Sequence, residues 1–186
     1  MTKWNNFNDA EDQMSYELIP NKTIAKVRLM LKKGNHITDE FTDGYATLSK
    51  AGTSIYLACE FVVLSGEYEH RKVWSNIGLC NMNSRLGTGG DRYADIGRSM
   101  IKAILDSAHG LHPADKSPKV EKLRIIKSFA DLDNLICVAE ITIDDRDNNK
   151  PRNEIKTIIT PDHAKYSEHI KKQTDDNFLG DEVPFE

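Results

Sequence analysis

Alternation of apolar and polar positions first sets in at Thr23. Over T-I-A-K-V-R-L-M-L, Thr23 to Leu31, Ala25, Val27 and Leu29 fall opposite Lys26 and Arg28, which predicts a half-buried strand with a basic outer face. Ser54 to Leu64, S-I-Y-L-A-C-E-F-V-V-L, is denser in β-branched and aromatic residues and predicts a second strand, with Tyr56, Ala58, Glu60 and Val62 on one face. After S-G-E-Y, the run His70 to Leu79 alternates Arg71, Val73, Ser75 and Ile77 with Lys72, Trp74 and Asn76. These two runs predict a hairpin turning near Gly66. Two later runs, I-C-V-A-E-I-T-I ending at Ile143 and R-N-E-I-K-T-I-I ending at Ile159, flank the polar turn D-D-R-D-N-N-K-P and predict a second hairpin.

Between the hairpins the period changes from two to that of a helix. Tyr93, Ile96, Gly97, Met100, Ile101, Ile104, Leu105 and Ala108 form an apolar stripe, with Asp91 placed to cap it and Gly110 to stop it. Ser117-Pro118 opens a shorter helix through Lys127 that turns Val120, Leu123 and Ile126 towards the body. Thr160-Pro161-Asp162 opens another to about Lys172, and the Gly-, Thr- and Asp-rich stretch from His36 reads as a long irregular loop. The predicted fold is mainly β with a helical insertion: an OB-like five-stranded barrel over residues 23–172, with the insertion at about 91–128, an extension at 1–22 and an acidic tail at 173–186. An antiparallel α+β sheet fits the same order of elements.

Charge changes the picture at the tail. D-D-N-F-L-G-D-E-V-P-F-E, Asp175 to Glu186, holds five carboxylates and no base. The whole chain has 25 Lys and Arg against 29 Asp and Glu, so residues 1–174 carry 25 against 24, or +1. Net acidity therefore does not exclude a polyanionic ligand. The tail reads as a solvated solubility segment, as a peptide that holds a partner protein through Asp181, Glu182, Val183, Pro184 and Phe185, or as one that lies over the body's own cationic groove until a polyanion displaces it. The odd set of cysteines, Cys59, Cys80 and Cys137, two of them inside apolar runs, predicts buried thiols in a reducing compartment. No apolar leader or run long enough to cross a bilayer is present, so a cytoplasmic protein is expected.

Single-strand recognition needs cations for phosphates and open rings for bases. E-Y-E-H-R-K-V-W, Glu67 to Trp74, supplies Tyr68, Arg71, Lys72 and Trp74 within eight residues, with Lys72 and Trp74 on one strand face. Lys26 and Arg28 add a second basic line, and Tyr56 a further ring. The competing readings are a core indole at Trp74, rim-filling tyrosines and a solvated hairpin end. Catalytic chemistry finds no convergent set. G-T-G-G at Gly87 to Gly90 lacks the Lys-Ser/Thr of a phosphate loop. His109, His112, Asp106 and Asp115 lack a complete zinc spacing. Asp144, Asp145 and Asp147 resemble a nuclease cluster in composition only. No cofactor, metal or enzymatic activity is expected.

Tyr56 to Leu79, Y-L-A-C-E-F-V-V-L-S-G-E-Y-E-H-R-K-V-W-S-N-I-G-L, resembles members of an uncharacterised bacteriophage and prophage family, domain of unknown function 669. The likeness rests on an aliphatic strand, a Gly-x-Tyr turn, an Arg-Lys pair and an aromatic strand. It continues through the Gly97 to Ala108 helix, D-L-D-N-L and Asn153 to Lys156, over roughly residues 15–160. It implies a component of a phage replication or recombination module that binds single-stranded DNA, with Arg71, Lys72 and Trp74 carried over. The tail separately resembles the acidic, proline-phenylalanine tip of bacterial single-stranded DNA-binding proteins, from which Glu186 after Phe185 departs. The expected activity is therefore single-stranded DNA binding in the host cytoplasm. The alternative is an adaptor that recruits replication or recombination proteins through the tail. A homo-oligomer is the expected assembly, although no residue pattern specifies the number of copies.

Overall fold

Six strands build one antiparallel sheet in the computed structural model, which describes residues 4, 7, 8, 10, 17–85, 90–146 and 150–170. They are β1 (Thr23–Leu31), β2 (Ala46–Leu48), β3 (Ser54–Val63), β4 (Lys72–Asn81), β5 (Ile136–Asp144) and β6 (Arg152–Ile159). The helices are α1 (Met82–Arg85), α2 (Arg92–His109) and α3 (Pro118–Leu123), with a further turn of helix at 166–170. Both predicted hairpins are present, β3 with β4 and β5 with β6. Gly66 takes a left-handed φ of 88° in the first turn, a conformation open to glycine at no steric cost.

β3 is central. β4 runs along one of its edges, while β1 and then the short β2 share the other. The far edge of β1 takes β5, and β5 takes β6. The neighbour order is thus β4-β3-β1-β5-β6, and the two outer strands, β4 and β6, approach one another. Among the described residues no backbone pairing joins them, so the sheet bends round without closing into a barrel. Val27, Leu29, Leu57, Phe61, Val73 and Ile141 fill its inner face, covered by Ile104 and Leu105 of α2. The three thiols are buried, and burial pushes those of Cys59 and Cys137 up to about 12, so both stay protonated and inert.

The Asp91 carboxylate caps α2 by accepting from the Ala94 amide at 3.1 Å and ties the helix to β4 by accepting from the Asn81 amide at 2.6 Å. Gly110 ends α2 at φ 65° and donates its amide to the Asp106 carbonyl. Helix and sheet meet through glycine: a Cβ on Gly97 would sit 1.7 Å from the Gly78 carbonyl oxygen. That contact fixes the rotation of α2, and it explains why Ile96, read as part of the buried stripe, is 60% exposed. α3 stops at Leu123 instead of running to Lys127, which leaves Leu123 exposed. In place of the helix expected from Pro161, residues 160–165 form turns in which the Thr160 hydroxyl donates to Asp162.

Candidate nucleic-acid interface

Register decides which side chains share the outer face of the sheet. Arg28 pairs with Val62 and Val62 with Lys72, so these three form one rung across β1, β3 and β4. The next rung is Met30, Glu60 and Trp74. In the third, the amide of Lys32, just past β1, donates to the Ala58 carbonyl, and Ala58 pairs with Asn76. A patch three rungs deep therefore holds three cations, Arg28, Lys32 and Lys72, around one indole. Trp74 is 61% exposed, which settles the choice between core ring and open ring in favour of the open one.

Glu60 lies buried beneath this patch, and its two carboxylate oxygens each meet one lysine, Lys32 and Lys72, at 3.0 Å. Burial raises its pKa, but the hydrogen bonds and charges of the two lysines outweigh that and hold it below the ordinary value of 4.5. One anion thus fixes two ammonium groups beside Trp74, and the rest of each lysine surface stays half open. Because the folded pKa is depressed, the ion pairs contribute stability above pH 4.5 that is lost as pH falls through the lower folded value. Glu60→Gln is therefore expected to be less stable than the parent at pH 7 by about 1 kcal/mol. The gap should narrow on acidification below pH 4.5, as read from urea midpoints at pH 7 and in acid. An unchanged gap at both pH values would mean that the lysines do not stabilise the carboxylate.

Tyr56 lies on the same outer face, opposite Gly78 and four residues along β3 from Glu60, or about 13 Å from the indole's rung. Tyr93 from the first turn of α2 covers Gly78, where a Cβ would come within 2.7 Å of its ring. Burial raises the Tyr93 pKa, and a hydrogen bond with Ser54 works against that shift. The face therefore has a second aromatic end made from two elements.

Three of the expected residues sit elsewhere. Lys26 shares the parity of Arg28 but is buried, with only 7% exposed. Its carbonyl receives the Leu64 amide at 2.9 Å, which continues the pairing of β1 with β3 one residue beyond Val27 and Val63. Arg71 belongs to the turn before β4 and donates to the Glu17 carbonyl at 2.8 Å, so it pins the segment before β1. Tyr68 packs against the main core, and burial raises its pKa. Asp181, Glu182, Val183, Pro184 and Phe185 lie outside the described residues. Lys32, Glu60 and Tyr93 are the additions that reading the sequence missed. The parity of Lys32 with Arg28 was available as a signal; the burial of Glu60 on that outer face was not.

Two of the acidic groups, Asp144 and Asp106, are engaged by cations, and Asp147 lies outside the described residues. Asp144 receives Arg146 through both carboxylate oxygens, at 2.7 and 2.9 Å, and Arg152 at 3.2 Å, and the Arg146 hydrogen bonds hold its pKa well below the usual carboxylate range. Asp106 is saturated by Lys102 and Arg124, each at 2.6 Å. His112 accepts from the Ala114 amide within its own turn. Among the described residues no group of three metal-ligating side chains is assembled. No helix among them is long and apolar enough to cross a membrane.

No protein-family model matches the chain, and comparison with curated proteins gives no match.

Proposed function

We propose that this protein binds single-stranded DNA without acting on it chemically, as part of a phage replication or recombination module. The observation that carries the reading is Trp74, 61% exposed on a sheet face it shares with Arg28, Lys32 and Lys72. An open indole offers a stacking surface to any base, and cations a strand apart meet the phosphates on either side. The strand order supports an OB-like architecture. With the short β2 set aside, the remaining strands have the neighbours of a partly open five-stranded barrel, a helix follows the third, and the closing pair, β4 and β6, lies close. In such barrels the face of the second and third strands, here β3 and β4, takes oligonucleotides. The phage family that the sequence resembles supplies the setting: DNA replication or recombination in a host cytoplasm, with protein partners reached through residues 175–186.

Fluorescence anisotropy with labelled oligo-dT and a duplex of equal length, at two salt concentrations, tests this. The single strand should bind more tightly than the duplex. With three phosphates neutralised by Arg28, Lys32 and Lys72, log K against log salt should fall with a slope of about -2. Equal affinity for the duplex, or no salt-sensitive association, overturns the proposal.

A further inference from the structure

A cleft of about 550 Å³ opens between α2, the loop after β1 and the linker after α3. Its floor is apolar: Phe41 and Phe129 stack with centroids 6.3 Å apart, beside Ile101 and Ile126. A smaller cavity of about 230 Å³ shares Glu40, Phe41, Ile126 and Phe129 and adds Lys127 together with Asp43, whose carboxylate accepts from the Phe129 amide at 2.6 Å. Arg98, Lys102 and Arg124 stand on the rim with the single carboxylate Glu40. Lys102 and Arg124 are committed to Asp106, whereas the exposed side chains of Arg98 and Lys127 have no ion-pair partner among the described residues. Ile125, 74% exposed, extends the apolar surface past the lip.

The occupant such a cleft suits is an acidic segment bearing aromatic rings, and this chain carries one. Asp175 to Glu186 combines five carboxylates with Phe178, Leu179, Val183 and Phe185. Its point of departure is also near: the Tyr166 hydroxyl donates to the Ser107 carbonyl at 2.6 Å, which holds the 166–170 helix against the last turn of α2. Ser107 lies about 13 Å along the axis of α2 from Arg98 and faces β5, on the other side of the helix from the cleft. Phe178 follows Ile170 by eight residues, a reach of up to about 28 Å. We propose that this cleft is the docking site of the chain's own acidic segment, bound within one molecule, with the phenylalanines on the Phe41–Phe129 floor and the carboxylates on Arg98 and Lys127. Gly78, on the cleft wall, lies four residues beyond Trp74 on β4, about 13 Å from the indole's rung.

The inference goes beyond DNA binding and stands without it, and its test contains no DNA. Amide spectra of the isotopically labelled full chain are compared with those of the full chain carrying Phe178→Ser and Phe185→Ser. Differences are expected at Arg98, Ile101, Ile126 and Phe129 and are expected to persist on dilution. With Arg98→Glu and Lys127→Glu also present in both chains, they should be lost. No difference at the cleft overturns the proposal, as does a set of differences grouped on Arg28, Lys72 and Trp74, which would mean the segment lies on the sheet face. Differences that disappear on dilution overturn binding within one molecule and assign the cleft to a second copy's segment.

Discussion

Replacing Trp74 by Ala is expected to weaken oligo-dT binding by roughly 5- to 150-fold, the equivalent of the about 1–3 kcal/mol that one stacked base contributes. The same change leaves the unfolding midpoint almost unmoved, because a side chain 61% exposed on an outer strand face contributes little packing; surface substitutions of this kind stay within about 0.5 kcal/mol. Salt separates the indole from its cationic neighbours. Trp74→Ala removes no phosphate contact, so the dependence of log K on log salt keeps its slope, whereas Lys72→Ala makes that slope shallower by about 0.7. Anisotropy titrations of both variants at three salt concentrations, with urea unfolding in parallel, give the two readings together. Trp4 is also exposed, so indole quenching is best followed in a Trp4→Phe background. Unchanged affinity in Trp74→Ala removes the stacking platform from the proposed function. A weakened protein that is also less stable by several kcal/mol shows instead that the ring supports the fold.

Much of this architecture is written in two periodicities. β1, β3, β4, β5 and β6 are each long enough, eight to ten residues, for alternation to declare them, and α2 declares itself through its stripe and both of its caps. β2 escapes because three residues hold no period; it is a strand only because Leu57, Tyr56 and Ile55 of β3 are there to pair with it. The sheet's failure to close is likewise a relation between β4 and β6, and neither strand carries it alone. Ile96 shows the limit of the helical stripe: hydrophobicity named a broad arc, and the glycine contact at Gly97 then chose which edge of that arc faces the sheet.

The candidate site was legible to the same depth. Parity put Arg28 on the outer face of β1 and Lys72 and Trp74 on one face of β4, but left the indole open between core and surface; cross-strand register brings the three together. Parity cannot say what covers a given end of a strand. Lys26 therefore has the right face and the wrong exposure. Arg71 and Tyr68 precede β4 in a turn, where alternation has no meaning, and each is drawn into a packing role. Glu60 inverts the expectation for a strand carboxylate: it is buried because two lysines on neighbouring strands close over it.

Asp106→Ala is expected to lower the free energy of unfolding by about 3–5 kcal/mol, since truncating one partner of a buried ion pair leaves the other charge without compensation. Arg124 is the stranded partner. Its side chain is 14% exposed, its Nε donates to Asp106 at 2.6 Å, and its terminal nitrogens donate to the carbonyls of Asp115 at 2.6 Å and His112 at 3.0 Å. One carboxylate thereby holds the guanidinium that ties the 112–115 loop to the C-terminal half of α2. Lys102 should matter far less, because it is 46% exposed and regains water when its partner goes, as half-exposed pairs do for about 0–1 kcal/mol. The ranking Asp106→Ala, then Arg124→Ala, then Lys102→Ala, with strong coupling between the first two in a double-mutant cycle, is the expected signature in urea unfolding followed by circular dichroism. From a total stability that for a domain of this kind is about 5–15 kcal/mol, the loss is about a fifth or more. A loss below about 1 kcal/mol for Asp106→Ala would mean that the loop is held by its carbonyl contacts and not by charge. The same variant reaches the cleft, because Lys102 and Arg124 form part of its rim: Asp106→Ala should loosen the wall against which the acidic segment is proposed to dock, while Trp74 and its cations, on the far side of Gly78, keep their geometry.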